Sequence, residues 1–232
     1  MPTPDDLRNS NPHTALLLGG SGLVGGFCLS ALLEDPEYGP VTLLGRRELT
    51  VPANPKLKQK TVSFENLNAA DFANEEDIFC AMGTTIRKAG SQDAFRRVDY
   101  EYPLTAAKLA LNAGAKQFIL VSSVGADAQS KNFYLRTKGE LEQAVNALGF
   151  RAVHIFRPSI LLGKREEFRA GERIATTIAP ALNLVLLGGL HRYRAIHAAT
   201  VGRAMVAIAR QAMSGTNVHE YDQIVRLSEW VG

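Results

Sequence analysis

The stretch Ala15-Leu16-Leu17-Leu18-Gly19-Gly20-Ser21-Gly22-Leu23-Val24-Gly25-Gly26 constrains this chain more than any other. A short apolar run ends in a cluster of glycines, and a second apolar segment follows at once. The pattern predicts a buried strand, a tight turn and a helix. Two glycine frames overlap. Gly20, Gly22 and Gly25 fit G-x-G-x-x-G, while Gly19, Gly22 and Gly25 fit G-x-x-G-x-x-G. In the second frame Gly19 turns the chain out of the strand, Gly22 lets backbone approach a pyrophosphate, and Gly25 lets helix pack on strand. A helix opening there aims unpaired N–H groups and the positive end of its dipole at the phosphates. No Gly-Lys-Ser/Thr follows, which argues against a triphosphate-binding P-loop.

Downstream the chain alternates apolar strands with helical patterns. Leu23 to Glu34 reads as a helix stopped near Pro36, and Val41 to Leu44 as a second buried strand. Lys60 to Phe64 is the expected third strand, Asp77 to Met82 the fourth, Gln117 to Val121 the fifth and Ala152 to Phe156 the sixth. Helices are expected over Gln92 to Ala113, with a break at Pro103, and over Asn132 to Leu148. This rhythm predicts an α/β fold, a doubly wound parallel sheet with right-handed crossovers. From about residue 161 the rhythm changes. Lys164 to Ala179 is charged and then helical, and Leu182 to Leu190 is apolar. Arg194 to His197 reads as a short strand, Thr200 to Met213 as a helix and Val218 to Leu227 as a last strand. The expected organisation is a disordered tail over 1–13 and one domain over 14–232, with a small C-terminal substrate side.

The second strand ends at Gly45-Arg46-Arg47, with no carboxylate before Glu48. In dinucleotide folds an acid here binds a free ribose 2′-hydroxyl, whereas arginine accommodates a 2′-phosphate. NADP(H) is therefore the expected cofactor. Gly83-Thr84-Thr85 ends the fourth strand with small polar residues, which suits the floor of a cofactor cleft. Ser122 and Ser123 end the fifth strand, and one of them should face away. The Ser123 hydroxyl is placed to bond a carbonyl oxygen and steady developing charge. Tyr134 and Lys138, four apart on a predicted helix, share a face. A free phenol has a pKa of about 10, too high for acid–base work near neutrality. A neighbouring ammonium favours the phenolate, and Lys138 can also bond ribose hydroxyls.

Taken together, these motifs resemble short-chain dehydrogenase/reductases of the extended or atypical kind, most of all the Tat-interacting-protein oxidoreductase branch. The resemblance spans Thr14 to His197. It rests on the glycine turn, Leu44-Gly45-Arg46-Arg47, Cys80-Ala81-Met82-Gly83-Thr84-Thr85 and Val121-Ser122-Ser123-x-Gly125-Ala126-Asp127, together with Tyr134-x-x-x-Lys138-Gly139-Glu140 and Phe156-Arg157-Pro158. It implies an NADP-dependent Rossmann fold with Ser123, Tyr134 and Lys138 as the catalytic set. The cofactor would be held by Gly19, Ser21, Gly22, Leu23, Val24, Gly25, Arg46, Arg47, Gly83, Thr84, Thr85, Val121, Ser122, Tyr134, Lys138, Arg157, Pro158 and Ser159, with Pro158-Ser159 against the nicotinamide amide. The expected activity is hydride transfer to a carbonyl-like or quinone-like acceptor, with a redox-sensing regulator or scaffold as the alternative. In one place the chain departs from the wider superfamily, carrying Asp99 where an Asn is common.

Other function classes recede. Of 232 residues 46% are hydrophobic and 21% charged, with a net charge of +3 and no basic block, so no nucleic-acid partner is expected. No apolar run is long enough for a membrane span. The start of the chain lacks the apolar core of a signal peptide. Cys28 and Cys80 each lie in an apolar segment and read as free buried thiols, which points to the cytoplasm. His191, His197 and His219 have no metal-ligand spacing, and no metal is expected. Arg192 and Arg194 suit either a solvated edge or a pocket for an acidic substrate. The expected partner is a small-molecule substrate. A protein partner stays open, as does the choice between monomer and homodimer.

Overall fold

The computed structural model describes residues 12–163, 188–211 and 213–230. Seven parallel strands form one sheet. They are β1 (His13–Leu18), β2 (Tyr38–Gly45), β3 (Leu57–Thr61), β4 (Asp77–Cys80), β5 (Gln117–Val121), β6 (Ala152–Phe156) and β9 (Gly215–His219), in the spatial order β3-β2-β1-β4-β5-β6-β9. A separate parallel pair joins β7 (Leu161–Leu162) to β8 (Ile196–His197). The chain winds outward from β1 to β3, then crosses back to begin again at β4. That reversal opens a crevice at the carboxyl ends of β1 and β4.

Strand side chains alternate between two buried faces, which is why the strands read as continuous apolar runs. Ala15, Leu17, Phe79, Ile119 and Phe156 pack on one face with α1 (Leu23–Glu34), α6 (Ala198–Ala209) and α7 (Tyr221–Ser228). Leu16, Leu18, Ile78, Cys80, Phe118 and Leu120 pack on the other with α4 (Tyr102–Asn112) and α5 (Phe133–Asn146). Leu16, Leu17 and Leu18 are fully buried, each contributing roughly 1.5–3 kcal/mol of apolar transfer free energy.

Several boundaries differ from expectation. The third strand is Leu57–Thr61 rather than Lys60 to Phe64, because pairing of Val41 with Leu57 through Gly45 with Thr61 sets its register. The fourth stops at Cys80. The break in the long helix lies before Pro103, not at it. After α2 (Ile86–Ala89) and α3 (Gln92–Arg96) comes one π-helical turn, Arg97–Glu101, and Pro103 sits in the first turn of α4. Pro103 has no N–H for the carbonyl four residues back, that of Asp99, and the widened turn absorbs the mismatch. The expected last strand, Val218 to Leu227, is instead the end of β9 followed by α7. Ile224 is buried and Tyr221, Val225 and Leu227 pack around it, a helical spacing rather than a strand one. The helix expected over Thr200 to Met213 is Ala198–Ala209. The stretches Lys164 to Ala179 and Leu182 to Leu187 lie outside the described residues, as does 1–11.

Candidate active site

The residues singled out from the sequence converge at one end of the sheet. Arg46 and Arg47 follow β2, the glycine turn follows β1, and Gly83-Thr84-Thr85 follow β4. Ser122 and Ser123 follow β5, and Arg157-Pro158-Ser159 follow β6. These five strands are neighbours in the sheet, so their carboxyl ends line one crevice.

The glycine frame is resolved in favour of Gly19, Gly22 and Gly25. Gly19 has φ +86°, a left-handed conformation, and a Cβ there would fall 2.6 Å from the Ala81 carbonyl carbon. A Cβ on Gly25 would fall 2.1 Å from the Gly19 carbonyl oxygen. Both positions exclude a side chain. Gly22 is the N-cap of α1, exposed, with no side-chain cap and no acid in the first turn. The donors at this helix start are therefore open to an anion. That uncapped start, cradled by glycines, fits the phosphates of a dinucleotide. Ser21, Leu23 and Val24 complete the turn, with Val24 buried. Gly163, just after β7, lies against Leu23 of the same turn.

Arg46 and Arg47 are exposed and have no ion-pair partner among the described residues. Thr85 caps α2, accepting from the Lys88 N–H at 3.2 Å. The Thr84 N–H donates to Asp99 Oδ2 at 2.8 Å, fastening the floor after β4 to the π turn.

The two serines are separated as the alternation requires. Ser122 is buried, and its hydroxyl donates to Glu142 Oε1. Arg157 closes on the same carboxylate, with Nε donating to Oε1 at 3.0 Å and Nη2 donating to Oε2. The side chains of Ser122 and Arg157 are thus spent on Glu142. Ser123 is half-buried, with one long bond, 3.4 Å, to the Val124 carbonyl. Ser159 donates to the Arg194 carbonyl, and the Val124 N–H donates to the Pro158 carbonyl at 3.0 Å. These bonds tie the ends of β5 and β6 to the segment preceding β8.

Helix α5 carries Tyr134 and Lys138 on one face. Tyr134 is half-buried, with its ring 5.6 Å from that of Phe95. Lys138 is 4% exposed, and its Nζ lies 2.7 Å from Asp99 Oδ1. Burial alone pulls a lysine down, but the Asp99 carboxylate and the Tyr134 oxygen outweigh it and hold Lys138 above its ordinary range. Burial pushes the Cys80 thiol up to about 11, and the buried Cys28 thiol goes up as well. Both are free and unreactive.

Sequence reasoning missed two groups here. The sequence marks Asp99 only as a departure from the wider superfamily, not as the partner of Lys138. Glu142 was not singled out, although an acid one turn beyond Lys138 on the same helix face was the available signal.

This crevice and its glycine turn define a nucleotide-binding protein of the Rossmann type. Residues 15–222 match the NAD dependent epimerase/dehydratase family, and the chain belongs to it. Protein HTATIP2 from Rattus norvegicus is 40% identical over 206 residues, covering 87% of this chain and 83% of that protein. This bears out the expected branch. Protein FMP52, mitochondrial, from Candida albicans is 34% identical over 209 residues, covering 87% and 90%. Among solved structures, MoeE5 in complex with UDP-glucose and NAD superposes with a TM-score of 0.66 at 15% identity, covering 93% of this chain and 80% of that one. A putative NAD-dependent epimerase/dehydratase from Bacillus halodurans gives 0.66 at 18% identity, covering 94% and 99%. The solved structures are alike in fold.

Proposed function

We propose that the protein is an NADP(H)-dependent oxidoreductase of short-chain dehydrogenase type, acting on a carbonyl-like or quinone-like acceptor. The observation that carries this reading is the placement of Tyr134 and the buried Lys138 on one helix beside the cleft floor, where Asp99 links Lys138 to Thr84. The glycine turn and the start of α1 would hold the pyrophosphate, and Arg46 and Arg47 the 2′-phosphate. A bound nicotinamide supplies the hydride. Ser123, free of any strong internal bond, holds the acceptor oxygen and steadies its developing charge. Tyr134 gives its proton to that oxygen. The Lys138 ammonium stabilises the phenolate left behind and has N–H groups to spare for ribose hydroxyls. The tie from Ser159 to the Arg194 carbonyl places the β7–β8 pair over this end of the sheet, where the acceptor would enter. Both thiols are free and buried, which suits our placement of the protein in a reducing compartment, the cytoplasm.

The test is calorimetric titration with NADPH and NADH, followed by NADPH oxidation across aldehydes, ketones and quinones. Clear preference for NADPH is expected, weakened in Arg46→Ala/Arg47→Ala. Tyr134→Phe should lower turnover by about 10²–10⁴-fold with NADPH affinity little changed. Equal affinity for the two cofactors would refute the NADP assignment. A rate that survives Tyr134→Phe would refute the proton donor.

A further inference from the structure

The least expected group in the cleft is a buried carboxylate. Asp99 is 1% exposed and Lys138 4%. One Asp99 oxygen faces Lys138 Nζ at 2.7 Å, and the other accepts the Thr84 N–H at 2.8 Å. A side chain on Gly83 would come within 3.4 Å of Asp99 Oδ1 and 3.8 Å of Lys138 Nζ, so the pair sits directly under the floor of the crevice. One carboxylate thus joins three pieces: the loop after β4, the π turn and the helix that carries Tyr134. Asp99 lies at the centre of the π turn Arg97–Glu101 and is its buried residue.

We propose that Asp99 is a positioning residue, which keeps Lys138 ionised and fixes its ammonium against the cleft floor, and so sets the pH range in which Lys138 and Tyr134 work together. This rests on the oxidoreductase reading above. An amide at position 99 can still accept the Thr84 N–H, but it carries no charge. The Lys138 ammonium would then lie buried and uncompensated, and desolvation would release its proton at a lower pH.

Among the described residues no other group takes over the role. From β4, Lys138 faces Cys80, whose thiol stays neutral. From its own helix it faces Tyr134, and α3 contributes the apolar Phe95 ring beside that phenol. On the outer side, Arg96 is taken by Glu140, and Arg97 and Glu101 are exposed. On α4, Tyr102 donates to Glu65 and Lys108 is exposed. Asp99 is the one acid paired with Lys138 among the described residues.

The experiment compares the wild type with Asp99→Asn from pH 6 to 10. The first readout, urea stability, needs no cofactor. In the wild type the folded Lys138 value lies above that of the unfolded chain, about 10.4. Its contribution is therefore full below that pH and lost only as pH rises through the folded value. In Asp99→Asn the sign reverses. The variant is weakest relative to wild type at pH 6 and regains ground as the buried amine sheds its proton. Its deficit should at least halve by pH 10, and a deficit unchanged across the range would overturn the ion pair. The second readout is function. NADPH affinity and turnover in Asp99→Asn should acquire an alkaline fall below pH 9 that the wild type lacks, with at least a tenfold loss between pH 6 and 9. A profile identical in shape to wild type would reduce Asp99 to a structural tie and overturn the proposal. If wild type turns over no acceptor, the oxidoreductase reading fails, while stability and NADPH affinity still decide the role of Asp99. If Asp99→Asn does not fold, the Asp99→Asn/Lys138→Met double variant, with no charge left to compensate, should fold. Failure of the double variant would equally overturn the pairing.

Discussion

The Ser122–Glu142–Arg157 cluster makes a quantitative test of how the site is held. Glu142 sits one turn beyond Lys138 on α5, and its carboxylate collects the Ser122 hydroxyl from the end of β5 and the Arg157 fork from the end of β6. The Glu142 side chain is 7% exposed and that of Arg157 25%. Breaking a buried ion pair by removing one partner costs about 3–5 kcal/mol, because it strands the other charge. Which partner is stranded decides where in that range a variant falls. Arg157→Met leaves a desolvated carboxylate with a single hydroxyl donor, and should cost at least about 3 kcal/mol. Glu142→Gln leaves a guanidinium already one-quarter exposed, able to turn its head to water. The new amide oxygen still accepts one bond, so about 1–2 kcal/mol is expected, the cost of a weakened hydrogen bond. The Glu142→Leu/Arg157→Met double variant should be more stable than Arg157→Met alone, since no unpaired charge remains buried. Urea denaturation followed by circular dichroism at pH 7 measures all three. Equal losses in the two single variants, or less than about 1 kcal/mol for Arg157→Met, would refute this account of the cluster. Because the cluster anchors the residues next to Ser123 and one turn from Lys138, Arg157→Met should also slow turnover.

Gly25→Ala puts a methyl 2.1 Å from the Gly19 carbonyl oxygen; the apo protein should lose about 1–3 kcal/mol and the NADPH-induced rise in Tm should vanish, whereas a wild-type rise in a melting assay would refute the packing role. Burial pushes His154 and His219, whose Nδ1 and Nε2 lie 3.2 Å apart, from 6.5 down to about 4. Both rings are neutral in the fold, so their contribution is full above about pH 6.5 and lost as pH falls through 4, on the order of 3 kcal/mol for each ring. Urea midpoints at pH 7, 6, 5 and 4 should trace that fall, and His219→Gln should flatten it.

The glycine turn, the strand cores and the Tyr134/Lys138 pair were legible in the chain because each depends on local pattern. Continuous apolar runs announce strands buried on both faces, and a four-residue spacing places two side chains on one helix face. Leu23–Glu34, Gln117–Val121 and Ala152–Phe156 are found at the expected boundaries. Local pattern was weaker where pairing or mixed periods govern. β3 is a polar edge strand whose limits come from its register with β2. Residues 218 to 227 carry a strand end and a helix in one stretch of mixed apolar and charged residues.

The sequence by itself determined that the chain would wind a parallel sheet around a phosphate-binding turn, since only glycine tolerates the backbone that turn requires. Tertiary structure decided which glycine frame is used, because the clash that excludes a side chain at Gly19 comes from Ala81, just after the neighbouring strand β4. It also decided which of the two serines is committed to a buried carboxylate. Glu142 is 20 residues from Ser122 and Arg157 is 35, and only the packing of α5 on the sheet brings the Glu142 carboxylate to both the Ser122 hydroxyl and the Arg157 fork. The pairing of Asp99 with Lys138 is of the same kind. The sequence marks Lys138 as a catalytic candidate and Asp99 as a departure, but nothing in it pairs the two, and their burial against one another under the cleft floor comes only from the fold.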